Sequence, residues 1–211
     1  MREEDRAKTT FVTPFGHYQY VRCPMGLTNS PATFQRFMEY VFTDNIFVTM
    51  LVYLDDLLIF SKDVEEHFDR LQVVFELLRK HGLKLKPSKC HLLKSQVKYL
   101  GYIISKEGVS TDPEKIEAVQ EWPTPQTVRE VRAFVAFCSF YRRFIEGFAK
   151  VAAPLHALMG GDSKADVSKY WGEAEAQAFA QLKEKLTQAP VLKNADYGKQ
   201  FVVETDASFE G

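Results

Sequence analysis

An α+β fold is the class this 211-residue sequence predicts, and three features predict it. Runs of alternating bulky and polar residues, bounded by turn chemistry, read as strands in the first half. Two amphipathic stretches with apolar residues at helical spacing are interleaved with them. From Thr111 onward most of the pattern is helical. Hydrophobic residues make up 45% of the chain and aromatics 13%, which is enough to build a core and excludes a disordered chain.

The elements follow in order. FVTPFGHYQYVR at 11–22 alternates around Phe15-Gly16 and suits a short hairpin. CPMGLTNSP is a loop, after which Ser30 and Pro31 read as N-cap and N1 of a helix. Phe34, Phe37, Met38 and Val41 share one face of that helix. The apolar stretch IFVTMLVYL then runs into Asp55-Asp56, and LLIFS leaves them. Uncompensated buried carboxylates are costly, and consecutive strand residues face opposite sides, so the pair belongs at a tight hairpin turn.

Asp63 opens a second helix, VEEHFDRLQVVFELLRKH, with Phe68, Leu71, Val74, Phe75 and Leu78 as its stripe and Gly82 as its stop. Strand pattern returns in VKYLGYIIS. PEKIEAVQEW, TVREVRAFVAFCSFYRRFI and FAKVAAPLHALM read as helices, with a turn at PTP. GGDSKADVS is the most linker-like stretch. EAEAQAFAQLKEKL is an amphipathic helix, and FVVETDAS a terminal strand.

With 27 Lys+Arg against 28 Asp+Glu the net charge is -1, so a polyanion would have to be met by local patches. One such run is Arg79, Lys80, Lys84, Lys86, Lys89, Lys94 and Lys98, with no acidic residue among them. It reads either as a surface that tracks phosphates or as an ordinary solvated helix end and loop. Cys23, Cys90 and Cys138 form no CxxC pair and read as reduced thiols of an intracellular protein. No run approaches the roughly 18 apolar residues of a membrane span, so no membrane partner is expected.

Two adjacent carboxylates on a strand turn are hard oxygen donors suited to Mg2+, with Mn2+ as an alternative. That is equipment for phosphoryl transfer, although the pair alone reads first as a solvated turn, and its flanking apolar strands bring the two readings level. GLTNSPATFQ places Gly26 in a tight loop, with Asn29 and Gln35 at a helix start.

VYLDDLLIF, together with CPMGLTNSPATFQRFM upstream and KYLGYIISKEGVSTDPEKIEAVQEWPTP downstream, closely resembles the reverse transcriptase of gypsy-type LTR retrotransposons. HFDRLQVVFELLRKHGLKLKPSKC, FYRRFI, APLHALM and TQAPVL follow the same family's order. The resemblance implies an RNA-directed DNA polymerase of right-hand shape, an antiparallel palm sheet with helices on one face. Residues 1–105 would be palm, 106–165 thumb and linker, and 166–211 the beginning of a ribonuclease H-like domain.

It further implies that Asp55 and Asp56 hold catalytic Mg2+, and that Gly26, Asn29 and Gln35 lie near template and nucleotide. By the same resemblance Tyr99, Leu100 and Gly101 belong to a primer-grip hairpin, and Tyr141, Arg142 and Arg143 to the nucleic-acid side of the thumb. Asp206, in TDAS, is the counterpart of the first metal-binding aspartate of ribonuclease H. The implied partner is an RNA or DNA template with its primer.

Three positions depart from the family pattern: Met25, Ser30 and Ala136 stand where phenylalanine, alanine and glycine are usual. In the family the first metal-binding aspartate of the palm lies in a strand before the segment that begins here at Met1. The expectation is therefore an N-terminally truncated palm, inactive alone, whose open sheet edge favours homo-oligomers. A non-catalytic module that binds nucleic acid or protein is the alternative.

Overall fold

The structure, a computed structural model, describes residues 1–193 and 200. The chain forms two compact units, Met1–Leu93 and Lys94–Gly211.

The first unit opens with a short helix, α1 (Glu3–Arg6), and the expected hairpin, β1 (Phe11–Thr13) with β2 (Gly16–Tyr18). Thr13 pairs with Gly16, leaving Pro14 and Phe15 as a two-residue turn. Helix α2 (Ser30–Val41) follows. Its N-cap is Asn29 rather than Ser30, whose hydroxyl instead donates to the Pro24 carbonyl at 2.9 Å. Strands β3 (Met50–Tyr53) and β4 (Asp56–Ile59) pair antiparallel.

Helix α3 (Val64–Lys80) starts where Asp63 accepts a hydrogen bond from the Glu66 amide at 2.9 Å, and Gly82 ends it at φ 68°. The core of this unit gathers Met38, Val41 and Phe42 with Met50, Val74 and Leu78. The stripes predicted for α2 and α3 are only half buried: Met38, Val41, Leu71, Val74 and Leu78 go inside, whereas Phe34, Phe37, Phe68 and Phe75 stay exposed. A two-stranded ribbon, with strands about 5 Å apart, is too narrow to cover the full width of an apolar helix stripe. Among the described residues no third strand pairs with β3–β4.

The second unit begins with a three-stranded antiparallel meander, β5 (Gln96–Tyr99), β6 (Tyr102–Ser105) and β7 (Gly108–Thr111). Helices α4 (Pro113–Gln120), α5 (Val128–Phe140), α6 (Phe148–Ala157) and α7 (Glu173–Thr187) follow. Helix α7 packs on α6 and α4, and α6 on α5. Their core is built on Val119, Val131, Phe134, Leu155, Leu182 and Leu186, all fully buried.

Helix α5 carries a capping box: the Thr127 hydroxyl accepts from the Glu130 amide, and the Glu130 carboxylate accepts from the Thr127 amide, each at 3.3 Å. Thr127→Ala should lower the stability of this unit by about 1 kcal/mol in denaturant unfolding.

The stretch expected to be a linker is instead docked. Val128 and Arg129 donate to the carbonyls of Ala165 and Ser163, Val167 donates to Gln126, and the Val167 side chain is buried. Glycine and polar content signalled a loop, but these main-chain bonds to the start of α5 are non-local and leave no composition signal. The predicted terminal strand FVVETDAS, including Asp206, lies outside the described residues.

Candidate functional site

Asp55 and Asp56 sit where expected, at the tip of the β3–β4 hairpin. Tyr53 pairs with Asp56, so Leu54 and Asp55 are the two turn residues, and Asp56 is the first residue of β4. Leu54 takes a left-handed conformation, φ 53°, which a side chain bearing Cβ adopts only at a cost. Both carboxylates are exposed, and neither has a hydrogen-bond or ion-pair partner among the described residues. Two unpaired carboxylates on a rigid ribbon form an oxygen donor set open to a hard cation. Among the described residues no third histidine, cysteine, aspartate or glutamate joins them.

Gln35, on α2, meets this hairpin directly. Its Oε1 accepts from the Leu54 amide at 2.6 Å, while its Nε2 donates to the Glu39 carboxylate at 2.9 Å and to the Val52 carbonyl at 3.4 Å. Gly26 and Asn29 lie in the exposed loop before α2, Gly26 at φ 91°. Asn29 contributes its carbonyl to the first turn, accepting from Thr33 at 3.0 Å, and its side chain makes no capping bond. Sequence reasoning missed Glu39, although its spacing of four from Gln35 on one helix face was a readable signal.

Tyr99, Leu100 and Gly101 form the tip of the β5–β6 hairpin, with Leu100 at φ 49° and Gly101 at φ 80°. Both turn residues are left-handed, as a two-residue hairpin of the primed type requires. Gly101 is needed twice over, because an added Cβ would also lie 3.2 Å from the Phe140 ring. This tip is fixed from the end of α5: the Tyr141 hydroxyl donates to the Gly101 carbonyl at 2.7 Å. Tyr102 stacks on Phe140 at 5.0 Å between ring centroids and donates its hydroxyl to the Phe140 carbonyl.

Tyr141, expected on the nucleic-acid side, is thus an internal post, 1% exposed. Arg142 and Arg143 do reach solvent, and the Arg143 guanidinium lies 4.4 Å from the Tyr102 ring centre, within cation–π range. No sequence signal marked Tyr102, whose hydrogen bond to Phe140 spans 38 positions.

Burial, aided by the Asp112 charge and then by Tyr102, pushes the Tyr141 phenol up to about 12. A raised phenol stabilises the fold fully below the ordinary tyrosine value of about 10, and that contribution is lost as pH climbs from there through about 12. In an absorbance titration of phenolate, Tyr141→Phe should remove a component that ionises near pH 12. Asp112, 6% exposed, caps α4 and pairs with Lys98 at 3.3 Å, and Lys98 also meets Glu114 at 2.6 Å. Hydrogen bonding to Glu114 is the main reason the Lys98 ammonium titrates above its usual value.

In the first unit, Arg79, Lys80, Lys84, Lys86 and Lys89 are all exposed, and none forms an ion pair among the described residues. The basic run therefore offers uncompensated charge there, whereas Lys98 in the second unit is committed to Asp112 and Glu114.

Residues 1–104 match the family described as reverse transcriptase (RNA-dependent DNA polymerase), and residues 171–211 match the RNase H-like domain found in reverse transcriptase. Across 99% of the chain it is 39% identical to the retrovirus-related Pol polyprotein from transposon 297 of Drosophila melanogaster and 37% identical to that from transposon opus. Against the transposon Tf2-3 polyprotein of Schizosaccharomyces pombe identity is 33%, again over 99% of the chain. The chain spans only 19%, 21% and 15% of these three polyproteins.

Among solved structures, a foamy viral protease-reverse transcriptase in complex with double-stranded DNA shares the fold, with a TM-score of 0.83 over 93% of this chain and 34% of that one. A second, in complex with an RNA/DNA hybrid, gives 0.77 over 92% of this chain and 26% of that one. Identity is 24% in both, so they speak to the palm-and-thumb fold alone. Matched along almost its whole length by transposon Pol sequences, this chain belongs to the retrotransposon reverse transcriptases and spans part of their polymerase and RNase H-like region.

Proposed function

We propose that this segment carries the metal-binding turn of an RNA-directed DNA polymerase, with Asp55 and Asp56 as ligands for Mg2+, or Mn2+ in its place. The observation that carries the reading is the tip of the β3–β4 hairpin, where two exposed carboxylates have no partner among the described residues. The chemistry such ions supply when bound is activation of a primer 3'-hydroxyl and stabilisation of the departing pyrophosphate. The chain's own residues hold the ions and fix their position through the ribbon and α2. Residues 1–105 act as palm and 106–165 as thumb and linker. Residues 166–211 begin the RNase H-like domain, with Asp206 as its first metal ligand.

Two-metal chemistry needs carboxylates from more than one strand to hold ions about 3.5–4 Å apart, and one turn supplies only part of that set. The 211-residue chain by itself should not extend a primer. A longer Pol protein that contains this segment should do so on an RNA template with Mg2+. Extension by the 211-residue chain alone would show that other groups complete the site.

A second reading rests on the cations at Arg79–Lys89, which form no ion pair among the described residues and suit the phosphate backbone of a primer–template duplex. Binding should then survive Asp55→Asn and fall steeply between low and moderate salt in an anisotropy assay. Absence of binding at low salt would end that reading.

A further inference from the structure

The outer edge of β3 is open beside the turn, yet its last groups are not free. In the hairpin register Tyr53 pairs with Asp56 across the ribbon, so the Val52 carbonyl and the Leu54 amide both point away from β4. The Gln35 carboxamide engages both, Oε1 on the Leu54 amide at 2.6 Å and Nε2 on the Val52 carbonyl at 3.4 Å. One side chain thus supplies the acceptor and donor that a neighbouring strand would offer. Glu39, one helical turn on, accepts from the same Nε2 at 2.9 Å. Because a carboxylate can only accept, it fixes which end of the amide faces Leu54.

The residue held this way is the one in strained geometry, Leu54 at φ 53°, immediately before Asp55. From this we propose that Gln35, oriented by Glu39, is a positioning residue that holds the Leu54–Asp55 turn in its metal-ready shape and does not itself contact template or nucleotide. Its polar atoms are spent on the turn and on Glu39, leaving little hydrogen-bonding capacity for a ligand. The inference rests on the reading of Asp55 and Asp56 as metal ligands. It locates their support in α2, an element whose core contacts Met38 and Val41 anchor it independently of the site.

The test uses the longer, active Pol protein and measures primer extension as a function of Mg2+ and of nucleotide concentration. Gln35→Leu should lower kcat by about 10- to 100-fold and raise the Mg2+ concentration for half-maximal rate several-fold, with the nucleotide KM within about twofold of wild type. Glu39→Gln, which keeps an acceptor at that place, should stay near wild type, whereas Glu39→Leu should shift the Mg2+ dependence in the direction of Gln35→Leu.

A raised nucleotide or template KM with kcat intact would overturn the proposal in favour of direct contact. Unchanged kinetics in Gln35→Leu would also overturn it. Hydrogen exchange at the Leu54 amide separates this inference from the reading beneath it. Protection lost in Gln35→Leu upholds the clamp even where extension by the wild type proves independent of Asp55, and protection unchanged overturns the clamp whatever the activity.

Discussion

Asp55→Asn in a Pol protein containing this segment is expected to reduce Mg2+-dependent primer extension by about 10³-fold or more. Asparagine keeps the shape and one oxygen but loses the negative charge that holds a divalent ion. Metal-ion stabilisation of the transition state is worth several kcal/mol, and each 1.36 kcal/mol is tenfold in rate. The substitution should leave the fold intact, because the carboxylate is exposed and has no protein partner among the described residues. Its unfolding free energy should stay within about 0.5 kcal/mol of wild type. Activity lost with stability unchanged is the signature of a ligand, and activity lost together with stability would mark Asp55 as a structural turn residue.

Gly108→Ala is expected to be the most damaging small substitution in the second unit. Gly108 has φ 134°, and a Cβ placed there would sit 2.1 Å from the Leu192 carbonyl oxygen and 2.9 Å from its carbon. Those are backbone atoms and cannot swing aside. Leu192 is held there by reciprocal bonds with Val109, each 2.8 Å. Relieving the clash means pulling the Leu192 strand segment off β7, losing two hydrogen bonds of about 1 kcal/mol each, on top of about 1–3 kcal/mol of backbone strain. Denaturant unfolding should show a loss of about 3 kcal/mol or more. A loss under about 1 kcal/mol would mean that the contact between Gly108 and Leu192 is not made in solution.

The hairpin at Asp55-Asp56, helix α3 with its start at Asp63 and its stop at Gly82, and the family itself were legible in the sequence. Each of these is written in local signals: turn residues, capping side chains and apolar spacing. The third strand of the meander was not. GVST at 108–111 starts with a glycine and has no strand signal of its own, yet Gly108 is there because Leu192 approaches, a contact across more than eighty residues. The exposed phenylalanines of α2 and α3 were misplaced for the opposite reason: helical spacing tells which residues share a face but not how much of that face a neighbour covers.

Within the candidate site, the place of the turn carboxylates was legible and the hydrogen-bond partners of their neighbours were not. Gln35 was expected beside template and nucleotide, whereas its hydrogen bonds go to the turn backbone. Tyr141 was expected at the nucleic acid, whereas it is buried and ties down Gly101. In both cases the residue type was informative and the partner was set by tertiary packing.

Metal-directed cleavage reads out whether a divalent ion sits at the Leu54–Asp56 turn. Fe2+ replaces Mg2+ in the longer Pol protein bound to primer, RNA template and nucleotide, peroxide generates hydroxyl radicals at the metal, and the cut positions are mapped by mass spectrometry. Cuts are expected within a few residues of Asp55 and should disappear in Asp55→Asn. Cuts confined to other segments, in a protein that still extends primer, would place the metal elsewhere and contradict it.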